Sequence, residues 1–251
     1  MTNRIYKTQK VDDSNRIINE EEIDLIYCNG DSWAWGAELG DESESYRNST
    51  NFAGLLATKF NVPVQNSSMP GGSNARILRT TITDVLKLKE QNKKPLVVIA
   101  WTEIHRFELF DTKENRWTYF NNPDTSPDKD LSNKIWGTFS NDKSDVEKFI
   151  TSVVALESFF KFNSIPYIMI NVSFIPFNLL DSEMFSLYQP VLNLGNYLYL
   201  ITLYGLLKSN INVKWMPQQH PDEYGHKVVA DFLELQIKDR YVIKSKKNHN
   251  T

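Results

Sequence analysis

The apolar segment at residues 95–101, PLVVIAW, constrains the fold most strongly. A strand that is apolar on both faces suits a parallel sheet covered by helices on both sides. Shorter strand-like runs lie at residues 24–29, 62–65, 166–171 and 211–215, and amphipathic stretches separate them. The alternation predicts a three-layer α/β/α sandwich around a five-stranded, mainly parallel, doubly wound sheet.

The amphipathic stretches place apolar residues at helical spacing, which predicts helices at residues 51–60, 73–91, 144–162, 188–207 and 221–238. Asn51 and Ser73 stand where the first two of these helices begin, and both residue types are good N-caps.

A single domain is expected at residues 21–240, because the sequence shows no internal repeat and no linker. Residues 1–20 are polar and aperiodic, which indicates an arm. The polar stretch within residues 104–143 is long for a plain loop, so we interpret it as a lid or surface insertion. Residues 241–251 form a basic tail.

Composition argues against several classes of protein. Lys and Arg number 28 against 31 Asp and Glu, a net charge of −3, so nucleic acid is not an expected partner. The single cysteine, Cys28, cannot form an internal disulfide. The sequence contains no apolar run of about 18 residues and no signal-peptide core. We therefore expect no membrane partner, and a cytoplasmic protein or one soluble in its compartment of synthesis.

Three polar segments follow the predicted strands one, two and five. They are Gly30-Asp31-Ser32, the paired-glycine segment at residues 66–74, and residues 220–226. Ligands of α/β sheets bind at the carboxyl ends of the strands. Each segment alone is equally compatible with an ordinary turn, a tight strand-to-helix connection or a helix cap.

The two histidines of the third segment have different predicted roles. His220 precedes a helix start, whose dipole favours the neutral imidazole that a general base needs. His226 is expected to pack inside the last helix or to tether it. A metal site at His220, Asp222 and His226 lacks further ligands, so we predict no metal there.

Together the segments resemble the SGNH (GDSL-type) hydrolase family, in the family's order and over about residues 23–238. The resemblance implies a flavodoxin-like α/β/α fold and ester hydrolysis through an acyl-enzyme, with no metal and no organic cofactor. It implies Ser32 as nucleophile and His220 as general base, with backbone N–H groups of Ser32 and of Gly71 or Gly72 in the oxyanion hole. Asp31 is expected to order the turn through hydrogen bonds to backbone amides.

The sequence departs from the family pattern at two places. The family's oxyanion-hole Asn is absent after the third strand, so Thr102 or a nearby group is expected to substitute. The family's Asp, three residues before the catalytic His, is replaced by Pro217. Gln218, Gln219 or a backbone carbonyl is then expected to orient His220, giving a Ser–His dyad or an incomplete triad.

The first hypothesis is a serine esterase or acylhydrolase acting on a small-molecule or carbohydrate ester. Trp33, Trp35 and Trp101 are expected to form an aromatic wall beside the site, or else to belong to the core, and Asn74 is a further substrate-binding candidate. The alternative hypothesis is a catalytically degraded SGNH fold that serves as a binding or structural subunit of a larger assembly.

Overall fold

The structure is a computed structural model that describes residues 9–11, 17–40, 43–120, 129–173, 186 and 196–245. Its strands are β1 (Gln9–Val11), β2 (Ile17–Ile23), β3 (Leu25–Asn29), β4 (Val64–Asn66), β5 (Pro95–Trp101), β6 (Phe107–Asp111), β7 (Arg116–Phe120), β8 (Tyr167–Asn171), β9 (Tyr197–Thr202) and β10 (Tyr241–Ser245). Its helices are α1 (Ser32–Trp35), α2 (Glu44–Thr50), α3 (Phe52–Phe60), α4 (Asn74–Glu90), α5 (Lys129–Phe139), α6 (Asp142–Phe162), α7 (Leu203–Lys208) and α8 (Glu223–Lys238).

The central sheet has five strands in the order β4-β3-β5-β8-β9, and every neighbouring pair is parallel. The predicted α/β class with a mainly parallel sheet is confirmed. Asn51 and Ser73 cap α3 and α4 as predicted, since each side chain accepts a hydrogen bond from a first-turn N–H group.

Strand β5 lies at the centre of the sheet, and its side chains enter two separate cores. Leu96 and Val98 belong to a cluster with residues of α3, α7 and α8. Val97 and Trp101 belong to a second cluster, with residues of α4 and α6, on the opposite face. The continuous apolar run therefore reflects burial on both faces, as in other parallel sheets.

The prediction of the fifth strand is wrong. Residues 211–215 contain a turn and one isolated bridge, and Ile211 is 96% exposed. The fifth strand is β9, which falls inside the helix predicted at residues 188–207, whereas residues 188–195 lie outside the described ranges. A short apolar run does not distinguish a strand from a helix by periodicity. Pairing with β8 decides in favour of the strand.

The predicted arm and tail contain strands that form a second sheet, ordered β1-β2-β10. β10 runs parallel to β2, and the Tyr241 hydroxyl donates to the Tyr167 carbonyl oxygen at 3.1 Å. Residues 9–11 and 17–20 of the predicted arm and residues 241–245 of the predicted tail therefore take part in a sheet. The other arm and tail residues lie outside the described part of the chain.

The predicted lid or surface insertion contains the antiparallel hairpin β6–β7 and helix α5. Arg79 of α4 forms a bidentate ion pair with Glu108 of the hairpin, with both hydrogen bonds at 3.1 Å. This ion pair connects the segment to the main fold. Within the described ranges, no helix combines the length and apolar character needed to cross a bilayer.

Candidate active site

Ser32 stands at the carboxyl end of β3, next to the central strand β5. A Cβ atom on Gly30 would lie 2.7 Å from the Ala34 Cβ and 2.9 Å from the Ala100 carbonyl oxygen, so this turn has room only for glycine. The chain therefore turns sharply out of the sheet and begins α1 at Ser32. This turn places the Ser32 hydroxyl at the sheet edge where α/β proteins bind ligands.

Asp31 caps α1 and joins three separate elements. One carboxylate oxygen accepts the Trp33 N–H at 3.0 Å. The other accepts the Thr102 hydroxyl at 2.7 Å and Nη1 of Arg106 at 3.0 Å. Asp31 is 2% exposed, and its role in ordering the turn agrees with the sequence-based expectation.

His220 is held by the tight loop at residues 215–221. Trp215 and Pro221 form an antiparallel bridge, and the Met216 N–H donates to the His220 carbonyl oxygen at 2.9 Å. Gln219 adopts the left-handed conformation, with φ of 67°. The loop thus replaces the strand that sequence reasoning placed before His220, and it brings the imidazole to the same edge of the sheet.

Ser32, His220 and Glu38 form a continuous hydrogen-bonded line. The Ser32 Oγ lies 2.8 Å from His220 Nε2, and His220 Nδ1 lies 2.7 Å from Glu38 Oε2. A carboxylate only accepts hydrogen bonds, so Nδ1 carries the imidazole proton and Nε2 is left to accept the Ser32 hydroxyl. The three side chains have the geometry of an acid–base–nucleophile triad.

Glu38 is not among the orienting groups expected from the sequence, which are Gln218, Gln219 and a backbone carbonyl. Instead the Gln218 N–H donates to both Glu38 oxygens, at 3.0 and 3.3 Å, and so helps to hold the carboxylate. The expected dyad is corrected to an arrangement of three side chains. Glu38 carries no sequence signal of this role, because it comes from the turn after α1 rather than from the histidine loop.

Ser32 and His220 border a cavity of about 670 Å³. The residues that line it are Ser32, Ala37, Pro70, Gly71, Glu103, His105, Arg106, Trp136, Gln218 and His220. The cavity volume falls within the usual range for small-molecule sites.

The paired-glycine turn contributes Gly71 to the cavity that Ser32 also lines. The Gly72 N–H donates to the Met69 carbonyl oxygen at 2.9 Å, so Gly72 is not available to a ligand. Gly71 has φ of 72° and lines the cavity. Within the part of the chain that the structure describes, neither the Ser32 nor the Gly71 N–H has an acceptor. These two groups can donate to a negatively charged oxygen.

A protein-family model described as a family of unknown function, DUF6071, matches residues 37–185. The chain belongs to this family. The matched range includes Glu38, Gly71 and Arg106 but neither Ser32 nor His220. No curated protein sequence matches the chain.

Several solved structures resemble this DUF6071 chain. The psychrotrophic esterase EstA from Pseudoalteromonas sp. is 13% identical, covering 86% of this chain and 97% of its own, with a TM-score of 0.47. A member of the lipolytic protein G-D-S-L family from Veillonella parvula is 13% identical, with coverages of 86% and 98% and a TM-score of 0.45. An alpha/beta hydrolase enzyme from the metagenome of Lake Arreo, Spain, is 15% identical, with coverages of 88% and 98% and a TM-score of 0.49.

The three tryptophans predicted to form an aromatic wall do not line the cavity of this DUF6071 chain. Trp101 is fully buried against Phe149, and Trp33 packs at 5.7 Å from Trp215. Trp35 lies under the guanidinium of Arg47, at 3.7 Å. The expected aromatic wall is corrected, and Trp101 and Trp33 belong to the core, as the alternative had it. Among the described lining residues, the tryptophan is Trp136 of α5.

Asn74 and Thr102 are also engaged elsewhere. The Asn74 side chain donates to the Thr102 carbonyl oxygen at 3.1 Å and accepts the Thr102 N–H at 3.0 Å, joining α4 to the end of β5. The Thr102 hydroxyl donates to Asp31. These contacts correct the expectation of Asn74 as a substrate ligand and of Thr102 as an oxyanion donor.

His226 lies apart from the triad and ties two helices together. Its Nδ1 accepts the Phe52 N–H at 3.2 Å, which joins α8 to the start of α3, as predicted for a tether. Burial lowers the pKa of His226 to about 3. The described residues contain no cluster of three or more His, Cys, Asp or Glu that could hold a metal.

Proposed function

We propose that this DUF6071 protein is a serine ester hydrolase that works through an acyl-enzyme. One observation carries the proposal: the hydrogen-bonded line from Ser32 through His220 to Glu38, which opens on the cavity. The SGNH-like motif order at Ser32, Gly71 and His220 supports the same reaction class. The carboxylate comes from the turn after the nucleophile rather than from the histidine loop.

The proposed reaction uses each group in turn. The Ser32 oxygen attacks the acyl carbon while His220 Nε2 takes its proton. The N–H groups of Ser32 and Gly71 donate to the resulting oxyanion. His220 then protonates the leaving alcohol, and water attacks the acyl-enzyme with His220 again as base. The product is a carboxylic acid, and Glu38 stabilises the imidazolium at both stages.

The proposed substrate is a small-molecule ester. The expectation of a carbohydrate ester rested on Trp33, Trp35 and Trp101, which do not line the cavity. The aromatic residue available to such a substrate is Trp136, whose ring lies 5.8 Å from that of His105 in the cavity wall. An aromatic face of this kind suits a sugar ring or an acyl chain. Nucleic acid and membranes are not proposed partners.

The proposal predicts covalent labelling of Ser32. A fluorophosphonate probe should attach at this residue, as located by mass mapping, and the wild type should hydrolyse short p-nitrophenyl esters. Ser32→Ala should lose both the label and the hydrolysis, with thermal unfolding little changed because the hydroxyl faces the cavity.

Ser49→Ala is a matched control, because the Ser49 hydroxyl bonds to the Tyr46 carbonyl oxygen and Ser49 does not line the cavity. A folded wild type that takes no label and hydrolyses no ester would contradict the proposal. That result would favour the alternative, a binding or structural subunit of a larger assembly.

A further inference from the structure

Arg106 lies in the cavity wall and forms an ion pair with Asp31, in the turn that carries the candidate nucleophile. Among the described residues that line the cavity, it alone is a lysine or arginine. It follows β5 through a short turn in which its N–H donates to the Glu103 carbonyl oxygen at 3.3 Å. Its side chain is 23% exposed, so the guanidinium is accessible from the cavity but largely shielded from bulk water.

The guanidinium is anchored beside Ser32. Its Nη1 donates to Asp31 at 3.0 Å, and the Trp33 N–H and the Thr102 hydroxyl hold the same carboxylate. Asp31 precedes Ser32 directly and caps the helix that Ser32 begins. The position of the guanidinium is therefore coupled to the position of the nucleophile.

Most of the hydrogen-bonding capacity of Arg106 is unused. A guanidinium has five N–H donors in a rigid fork and stays protonated in proteins. Among the described residues, Asp31 is the hydrogen-bond partner found for its side chain. The remaining donors can therefore serve an acceptor in the cavity.

We infer that Arg106 is a catalytic residue that donates to the acyl oxygen of a bound ester. This inference rests on the proposed function. The Ser32 and Gly71 N–H groups supply two neutral donors, and Thr102 cannot supply a third because its hydroxyl donates to Asp31. A fixed positive donor interacts more strongly with the oxyanion than with the neutral ester. Arg106 should therefore act on kcat rather than on substrate binding.

A merely structural role for Arg106 makes a different prediction. Asp31 is a buried carboxylate, and removing its cationic partner leaves an unpaired buried charge. If Arg106 only neutralises Asp31, then Arg106→Gln causes no further loss of activity in a protein that already carries Asp31→Asn. If Arg106 donates to the acyl oxygen, then removing the Asp31 charge cannot replace the lost donor.

The test measures kcat and KM on neutral p-nitrophenyl acetate, with thermal unfolding of each variant. Arg106→Gln should lower kcat by about 10²–10³-fold, the usual loss for one oxyanion donor, with KM changed only a few-fold. Arg106→Lys should retain part of the activity. The double variant Arg106→Gln/Asp31→Asn should be slower than Asp31→Asn alone by a similar factor. Arg79→Gln removes an ion-paired arginine outside the cavity and should leave kcat unchanged.

Four outcomes would overturn the inference. Equal kcat values in the double variant and in Asp31→Asn alone would assign Arg106 to charge neutralisation. An unchanged kcat in Arg106→Gln would remove it from the reaction while leaving the proposed function intact. A loss seen only as a higher KM for the p-nitrophenyl ester of succinate, which carries a free carboxylate, would assign Arg106 to substrate recognition. An inactive, unlabelled wild type would overturn the proposed function and this inference together.

Discussion

At the scale of single residues, Glu38 and Gln219 share an uncommon backbone conformation. Both are non-glycine residues in the left-handed region, with φ of 63° and 67°. Such conformations cost free energy and persist where the surrounding structure holds them. Here the hydrogen bonds of Glu38 to His220 and to the Gln218 N–H hold the two turns against each other.

Glu38→Gln should lower kcat for p-nitrophenyl esters by about 10⁴-fold, the scale known for removing the orienting charge of a serine protease triad. The glutamine amide can donate to Nδ1, which would favour the wrong imidazole tautomer. Ester hydrolysis by purified Glu38→Gln and wild type, under the same conditions, measures the loss. Pro217→Asp should bring no gain, since Glu38 already occupies the position beside Nδ1. A faster Pro217→Asp, or a fully active Glu38→Gln, would contradict the triad.

At the scale of elements, the loop at residues 215–221 is positioned by aromatic packing. The Trp215 ring lies 5.7 Å from Trp33 of α1 and 5.4 Å from Tyr204 of α7. This packing attaches the loop that carries His220 to the helix that carries Ser32. Trp33 therefore acts on the site through the loop rather than by lining the cavity.

Trp215→Ala should lower kcat by about 10- to 100-fold, because small misplacements of a catalytic group cost rates of this order. The effect on stability should be modest, because Trp215 is already 38% exposed. Steady-state kinetics and thermal unfolding, measured on the same sample, separate the two effects. Trp117→Ala removes a tryptophan of similar exposure, 36%, from the β6–β7 hairpin and should leave kcat unchanged. Equal kinetic losses in both variants would contradict a positioning role for Trp215.

At the scale of the whole molecule, His226 links stability to pH. The imidazole is 1% exposed, and its Nδ1 already accepts the Phe52 N–H. Folding therefore requires the neutral form, and the pKa falls from the ordinary value of 6.5 to about 3. Between these two values the unfolded chain binds a proton that the folded chain does not, so the free energy of unfolding decreases as pH falls.

The free energy of unfolding of the wild type should fall by up to about 1.4 kcal/mol per pH unit below pH 6.5 through this residue. His226→Gln should be less stable than the wild type at pH 8. Because glutamine does not titrate, the variant should lose less free energy of unfolding than the wild type between pH 8 and pH 5. Denaturant unfolding of both proteins at several pH values in this range measures the difference. If the free energy of unfolding changes with pH equally in the two proteins, then His226 does not contribute to the pH dependence of stability.

For the fold, local sequence patterns determined most of the central sheet. Strands β3, β4, β5 and β8 follow from apolar runs, and the caps of α3 and α4 follow from Asn51 and Ser73. The edge strand β9 did not follow, because its apolar run is short enough to suit either a helix or a strand. The second sheet did not follow either, since its strands depend on pairing between the two ends of the chain.

For the site, the sequence by itself determined the residues that stand at strand exits or helix starts. Ser32, Gly71 and His220 each lie in a turn whose glycine, proline or capping residues are visible locally. Only the tertiary structure decided the rest. Arg106 and Trp136 reach the cavity from a strand exit and an inserted helix, and Glu38 reaches His220 from a turn. Trp101 does not line the cavity because alternate β5 side chains enter opposite cores. The physical reason is that these roles depend on contacts between segments far apart in the chain, which no local pattern encodes.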